Sequence, residues 1–235
     1  MLILGLISVV FLRYKLWHYY PMHLDHVSYV ASHDQISDVV NRIGSQIGTA
    51  FVDGGIHPKF GTRNFTAPLL NDQYIEIVCP LDHPATDVTP FGQAVKKKAD
   101  AGGGWMAWVL ATDSISNFEE KIGRDAVLGL RRKPNGTELN WKQLGVLSTI
   151  KDSQLPFFVE WISNNHPSMD GSAVAKISKI EISGQEDTLI DWVGGQNNYY
   201  QVSNVLRFFK DNPEESISGI NSVEFEINNK LILIS

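Results

Sequence analysis

HLDHVSYVASHDQISDVVNRIG, residues 23–44, and WMAWVLATDSISNFEEKIG, residues 105–123, decide how this chain folds. In the first, Leu24, His26, Ser28 and Val30 alternate with Asp25, Val27, Tyr29 and Ala31, the period-2 pattern of a strand with two distinct faces. Ile36, Val39, Val40 and Ile43 then recur at helical spacing, with Asp34 placed to cap the helix and Gly44 to stop it. In the second stretch Asp113, Ile115, Phe118, Ile122 and Gly123 repeat Asp34, Ile36, Val39, Ile43 and Gly44 at a constant offset of 79 residues. A strand and helix repeated in one frame point to an internal duplication.

Both copies continue as strands divided by turns. The first runs through a strand near residues 49–53, a loop at Gly54-Gly55 and His57-Pro58, a strand near 64–70, an Asn71-Asp72 turn and YIEIVCP at 74–80. The second enters Arg131-Arg132, turns at Pro134-Asn135-Gly136, and proceeds through TELNWKQL (137–144) to PFFVEWI (156–162). Each therefore reads β-α-β-β-β. A third, less regular copy is expected from KISKIEIS (176–183), a helix capped near Asp187 or Thr188 and stopped by Gly194-Gly195, YYQVSNV (199–205) and VEFEINNKLILIS (223–235). The expectation is an α+β protein of repeated β-α-β-β-β modules at about 23–80, 102–165 and 173–235.

Residues 1–12, MLILGLISVVFL, are interrupted by Arg13 and Lys15, well short of the ~20 apolar residues a spanning helix needs. Basic residues follow the apolar run instead of preceding it, which is the wrong order for a secretory signal. Residues 1–21 are read as an extension and 22–235 as the folded part. Neither feature is firm evidence of a membrane.

With 20 Lys plus Arg against 26 Asp plus Glu, the net charge of −6 argues against nucleic acid as a partner. One cysteine, Cys79, supports neither an internal disulfide nor a Cys-rich zinc site, and the cytoplasm is the simplest location. GxSxG, Walker and HExxH motifs are absent, and Cys79 has no sequence-local base to activate it. Lys96, Lys97 and Lys98 read as a solvated helix face.

The paired modules, opened by Leu24-Asp25-His26 and closed by Tyr74-Ile75-Glu76, resemble the vicinal oxygen chelate superfamily. GGIHPKFGTRN (54–64), YIEIVCP (74–80) and LPFFVEWISNNHPS (155–168) look like its glyoxalase-like domain branch, over roughly residues 23–235. The resemblance implies curled mixed sheets around a cleft, a small-molecule ligand or substrate and, in the metalloenzymes of the superfamily, a divalent metal such as Mn²⁺, Fe²⁺, Zn²⁺ or Ni²⁺. His26 stands at the superfamily's first-strand ligand position and Glu76 at its closing-strand carboxylate. Glu160, taken as the counterpart of Glu76, would complete the metal set and move the proton in catalysis. The remaining position falls at Trp105, Met106 or Ala107, none of them a hard-metal ligand. His57, Arg63, Asn64 and His166 are the expected ligand-binding residues. Two other readings stand beside the metalloenzyme, namely a metal-free binding cleft and carboxylates that merely satisfy buried donors such as Arg63, Asn64 or Trp141. A homodimer is left open.

Overall fold

The computed structural model describes residues 19–209 and 218–235, so most of the N-terminal extension lies outside the described residues. The first module comprises β1 (Met22–Val30), α1 (Ile36–Ile47), β2 (Val52–His57), β3 (Thr62–Leu69) and β4 (Gln73–Pro80). Two helices follow, α2 (Pro84–Val88) and α3 (Pro90–Asp100). The second module comprises β5 (Gly104–Thr112), α4 (Ser116–Ile122), β6 (Val127–Arg132), β7 (Glu138–Leu144), α5 (Val146–Lys151) and β8 (Phe157–Trp161).

The two modules have the same pairing. β1 lies parallel to β4, which runs antiparallel to β3, and β3 antiparallel to β2. Likewise β5 lies parallel to β8, β8 antiparallel to β7, and β7 antiparallel to β6. An antiparallel seam between β1 and β5 and a short one at Ile56 and Arg132 close the strands into a barrel, in the order β1-β4-β3-β2-β6-β7-β8-β5. Alternation along each strand then divides the side chains into an inside set and an outside set. Val30, Val78, Ala107, Val109, Ala111, Trp141, Phe157 and Val159 form one core with Phe91, Val95 and Ala99 of α3. A separate core joins the other faces of these strands to α1, α4 and the C-terminal part of the chain.

That C-terminal part holds β9 (Lys176–Ser183), α6 (Glu186–Trp192), α7 (Gln196–Tyr199), β10 (Leu206–Phe209), β11 (Gly219–Ile227) and β12 (Lys230–Ile234). It departs from the expected third copy at YYQVSNV, which holds the end of α7 and a 3-10 turn at Ser203–Val205 with the strand following it, and its sheet differs as well. The order is β10-β9-β11-β12, with the first strand beside the second and third, where the barrel modules place the first beside the last. It packs against the outside of the barrel, where Trp105 Nε1 donates to the Ile234 carbonyl at 2.8 Å.

α1 runs through Gly44 and ends at Gly48, whose φ of 66° makes the left-handed stop. The apolar stripe does not end at Ile43; Ile47 is buried as well, and the extra turn carries it into the core. α4 ends at Gly123 as the spacing implies, with φ of 71°. Among the described residues no helix is long and apolar enough to cross a membrane.

Candidate functional site

A β-bulge begins the site. β1 pairs Leu24 with Leu110 and His26 with Val109, so Asp25 is an extra residue on its strand, and both Asp25 and His26 are buried. Asp25 accepts hydrogen bonds from His26 Nδ1 (2.7 Å), His166 Nε2 (3.1 Å) and Trp161 Nε1 (3.2 Å). Burial alone would raise its pKa, but the hydrogen bonds from His166 and His26 outweigh that and hold the carboxyl far below the usual range. A carboxylate on Nδ1 fixes the His26 tautomer and leaves Nε2 free as an acceptor.

His26 Nε2 stands 4.0 Å from Glu76 Oε2. Glu76 is on β4, where the inward face also carries Tyr74 and Val78. The Ser28 hydroxyl donates to Oε2 and Asn64 Nδ2 to Oε1, each at 2.7 Å. Burial works against the charge, but His26, His57 and these two donors more than offset it and lower the Glu76 pKa. His57, at the end of β2, contacts Thr62 Oγ1 at 2.8 Å. Its burial depresses the pKa from 6.5 to about 4, so the ring is neutral at physiological pH. Burial also pushes the Tyr74 phenol well above its ordinary 10, and its ring stacks on His26 at 4.3 Å between centroids.

These groups line one cavity of about 30 Å³, closed by Phe60, Phe91, Trp141, Phe157, Val159 and Trp161. Phe91 and Phe157 also stand in the wall of a neighbouring groove of about 520 Å³ between α3, α5, β5 and the start of β11. The two rings thus separate a small polar chamber from a groove of ordinary ligand size.

His26, His57, Asn64 and Glu76 therefore meet inside the barrel, as the sequence suggests. Glu160 does not join them. On β8 the inward residues are Phe157, Val159 and Trp161, and Glu160 points outward, pairing with Lys142 (2.6 Å) and accepting the Ile115 backbone N–H at the start of α4 (2.8 Å). Arg63 is outside as well, paired with Asp53 and lying over the Phe65 ring. His166 lies behind the site, where it holds Asp25 and the Ser168 hydroxyl without lining the cavity.

A metal of the superfamily kind finds no matching donor set. Both oxygens of Glu76 accept hydrogen bonds, the inward β5 residues are Ala107, Val109 and Ala111, and among the described residues no three His, Cys, Asp or Glu side chains group to hold an ion. A guanidinium occupies the cavity wall instead. Arg131 of β6 is 2% exposed. The sequence placed Arg131-Arg132 on a strand before the hairpin and singled out neither, yet consecutive strand residues face opposite ways, which was the available signal. Arg132 is the outward one, paired with Glu138 at 2.6 Å. The Cys79 thiol, buried behind β4, is raised by that burial to about 11 and is no nucleophile.

A barrel closed from two β-α-β-β-β modules around a polar chamber defines the architecture of the vicinal oxygen chelate superfamily. The glyoxalase-like domain family matches residues 24–193, and the chain belongs to it. A solved hypothetical protein from Staphylococcus aureus shares the fold, with 17% identity, a TM-score of 0.56, and coverage of 91% of this chain and 84% of that one. Methylmalonyl-CoA epimerase from Mycobacterium tuberculosis matches 59% of this chain and 86% of its own at 14% identity, with a TM-score of 0.39. No curated protein matches the chain significantly.

Proposed function

We propose that this protein is an enzyme that moves a proton at a carbon beside an oxygenated group of a small molecule, as a lyase or isomerase does, and that His26 and Glu76 carry the step. The observation behind this reading is the His26 ring held between two carboxylates, Asp25 at 2.7 Å and Glu76 at 4.0 Å, in a chamber whose other walls combine aromatic and aliphatic groups with His57, Asn64, Arg131 and Gln143. Nε2 accepts the proton from the substrate carbon. The imidazolium that forms is stabilised from both sides, and the electron pair left behind moves onto the substrate oxygen. Tyr74 keeps its proton and can donate to that oxygen. Return of the proton from Nε2 to the same or a neighbouring carbon completes the turnover. Catalysis by Glu160 is not part of this scheme, because its carboxylate serves α4 and Lys142 outside the barrel.

The test is hydrogen exchange in D₂O, followed by NMR, over a panel of small oxo and hydroxy compounds incubated with the protein. Exchange at the carbon next to the oxygenated group is expected for at least one compound, with a loss of about 10²-fold or more in His26→Gln and Glu76→Gln, the ordinary scale of an acid–base residue. Compounds that bind without any exchange would leave the chamber a binding cleft and contradict the enzyme reading.

A further inference from the structure

Among the described residues, Arg131 is a buried cation with no ion-pair or hydrogen-bond partner. Its Nε and Nη2 are shielded from solvent and make no hydrogen bond. Those two nitrogens form one edge of the planar guanidinium, the edge whose parallel N–H groups match the two oxygens of a carboxylate. An uncompensated buried charge is strongly disfavoured, and when its donors are left free within a ligand chamber the group that completes them is expected to arrive with the ligand. The side chain is also deliberately accommodated. Gly54 on the neighbouring β2 has no Cβ, and a methyl there would collide with Asn64 Oδ1 and stand 2.9 Å from Arg131 Nη1. Asn64 Oδ1, in the same wall, is itself a buried acceptor with no donor among the described residues.

We infer that Arg131 is the anchor for a carboxylate, and that the ligands of this chamber are small oxo carboxylates. The inference deepens the proton-transfer reading by giving its substrate a charge and an orientation. Glu76 and the nearby Asp25 are anions and His57 is neutral, so a carboxylate ligand is held away from them against Arg131, and its oxygenated carbon is left for His26 and Tyr74. The cavity of about 30 Å³ restricts the inner part of the ligand to a few heavy atoms, with any longer substituent passing Phe91 and Phe157 into the larger groove.

Pyruvate and its neutral isostere pyruvamide are suitable probes, with binding measured by NMR titration of the full chain. The parent should bind pyruvate at least tenfold more tightly than pyruvamide. Arg131→Met should erase that preference by bringing pyruvate binding down to the level of pyruvamide, and Arg131→Lys, which keeps the charge but not the paired edge, should retain part of it. Because Arg131 gives up no protein partner, Arg131→Met should melt no lower than the parent; should it nevertheless fail to fold, the lysine variant carries the comparison. Preference for pyruvate that survives in Arg131→Met, an unimpaired Arg131→Lys, or a parent that does not distinguish the two probes overturns the anchor. His26→Gln separates the two proposals, since it should keep the pyruvate preference and lose only hydrogen exchange.

Discussion

At Glu76 and Glu160 one residue type does two different jobs. Glu76→Ala strips the acceptor from Ser28 and Asn64 inside the barrel and should cost about 1–3 kcal/mol. Glu160→Ala removes the acceptor at the start of α4 and a half-exposed ion pair, and should cost about 1 kcal/mol. Thermal melts of both variants check this, and excess Mn²⁺ or Zn²⁺ should leave the parent's melting temperature unchanged. His57 gives a pH signature. Its folded pKa is depressed to about 4 from 6.5, so between these values the unfolded chain takes up a proton that the folded chain resists. Stability from this group is therefore complete above about pH 6.5 and falls by up to about 1.4 kcal/mol per unit as pH drops toward 4. His57→Asn should flatten that slope between pH 6.5 and 4.5 in denaturant titrations, and an unchanged slope would remove His57 as its source. That His26, His57, Asn64 and Glu76 line one cavity was legible because all four fall within the first module's motifs. Asp25 was not, since only a bulge brings two consecutive residues of β1 inward.

At the scale of elements, parity explains the misreading of Glu160. The offset of 79 that relates the two strand-helix stretches carries Glu76 to Leu155, which shares its odd numbering with the inward residues Phe157 and Val159. Matching Glu76 to Glu160 instead assumed five inserted residues, and an odd shift turns a strand's faces over. The β6–β7 hairpin was legible. Gly136 adopts φ of 86°, and the Thr137 N–H bonds Asn135 Oδ1. Gly136→Val should cost about 1 kcal/mol or more through backbone strain alone, because open space surrounds the position. An unaltered melt would argue against strain at this turn. The first strand begins at Met22, one residue before the His23 expected from the pattern, and Tyr20 is already tied down. Its ring meets Phe118 edge-on at 5.2 Å, its N–H bonds Asn198 Oδ1, and its carbonyl accepts from Gln201. A chain starting at Met22 should therefore melt below one starting at Tyr19, and equal melting would show that these contacts contribute nothing.

For the molecule as a whole, duplication supplies a symmetric barrel and sequence divergence makes its interior asymmetric. The first module provides His26, His57, Asn64, Tyr74 and Glu76, whereas the second provides aromatic walls and Arg131. Module order and the α+β class were readable from periodicity, but closure was not, because the seam between β1 and β5 joins residues some 80 positions apart with nothing local to announce it. Nor was the changed strand order of the C-terminal sheet, whose segments have the same element sequence as the barrel modules. The central claim is that the barrel interior is a chamber for small carboxylates worked by His26 without a protein-held metal site. Histidine-ring ¹H–¹⁵N NMR, with pyruvate and then Mn²⁺ added to the parent, tests it most directly. Pyruvate should shift the His26 and His57 resonances saturably and leave exposed His83 in place, and Mn²⁺ should then broaden neither inner ring selectively. Selective broadening of His26 and His57 by substoichiometric Mn²⁺, or inner rings that ignore pyruvate, would contradict the account.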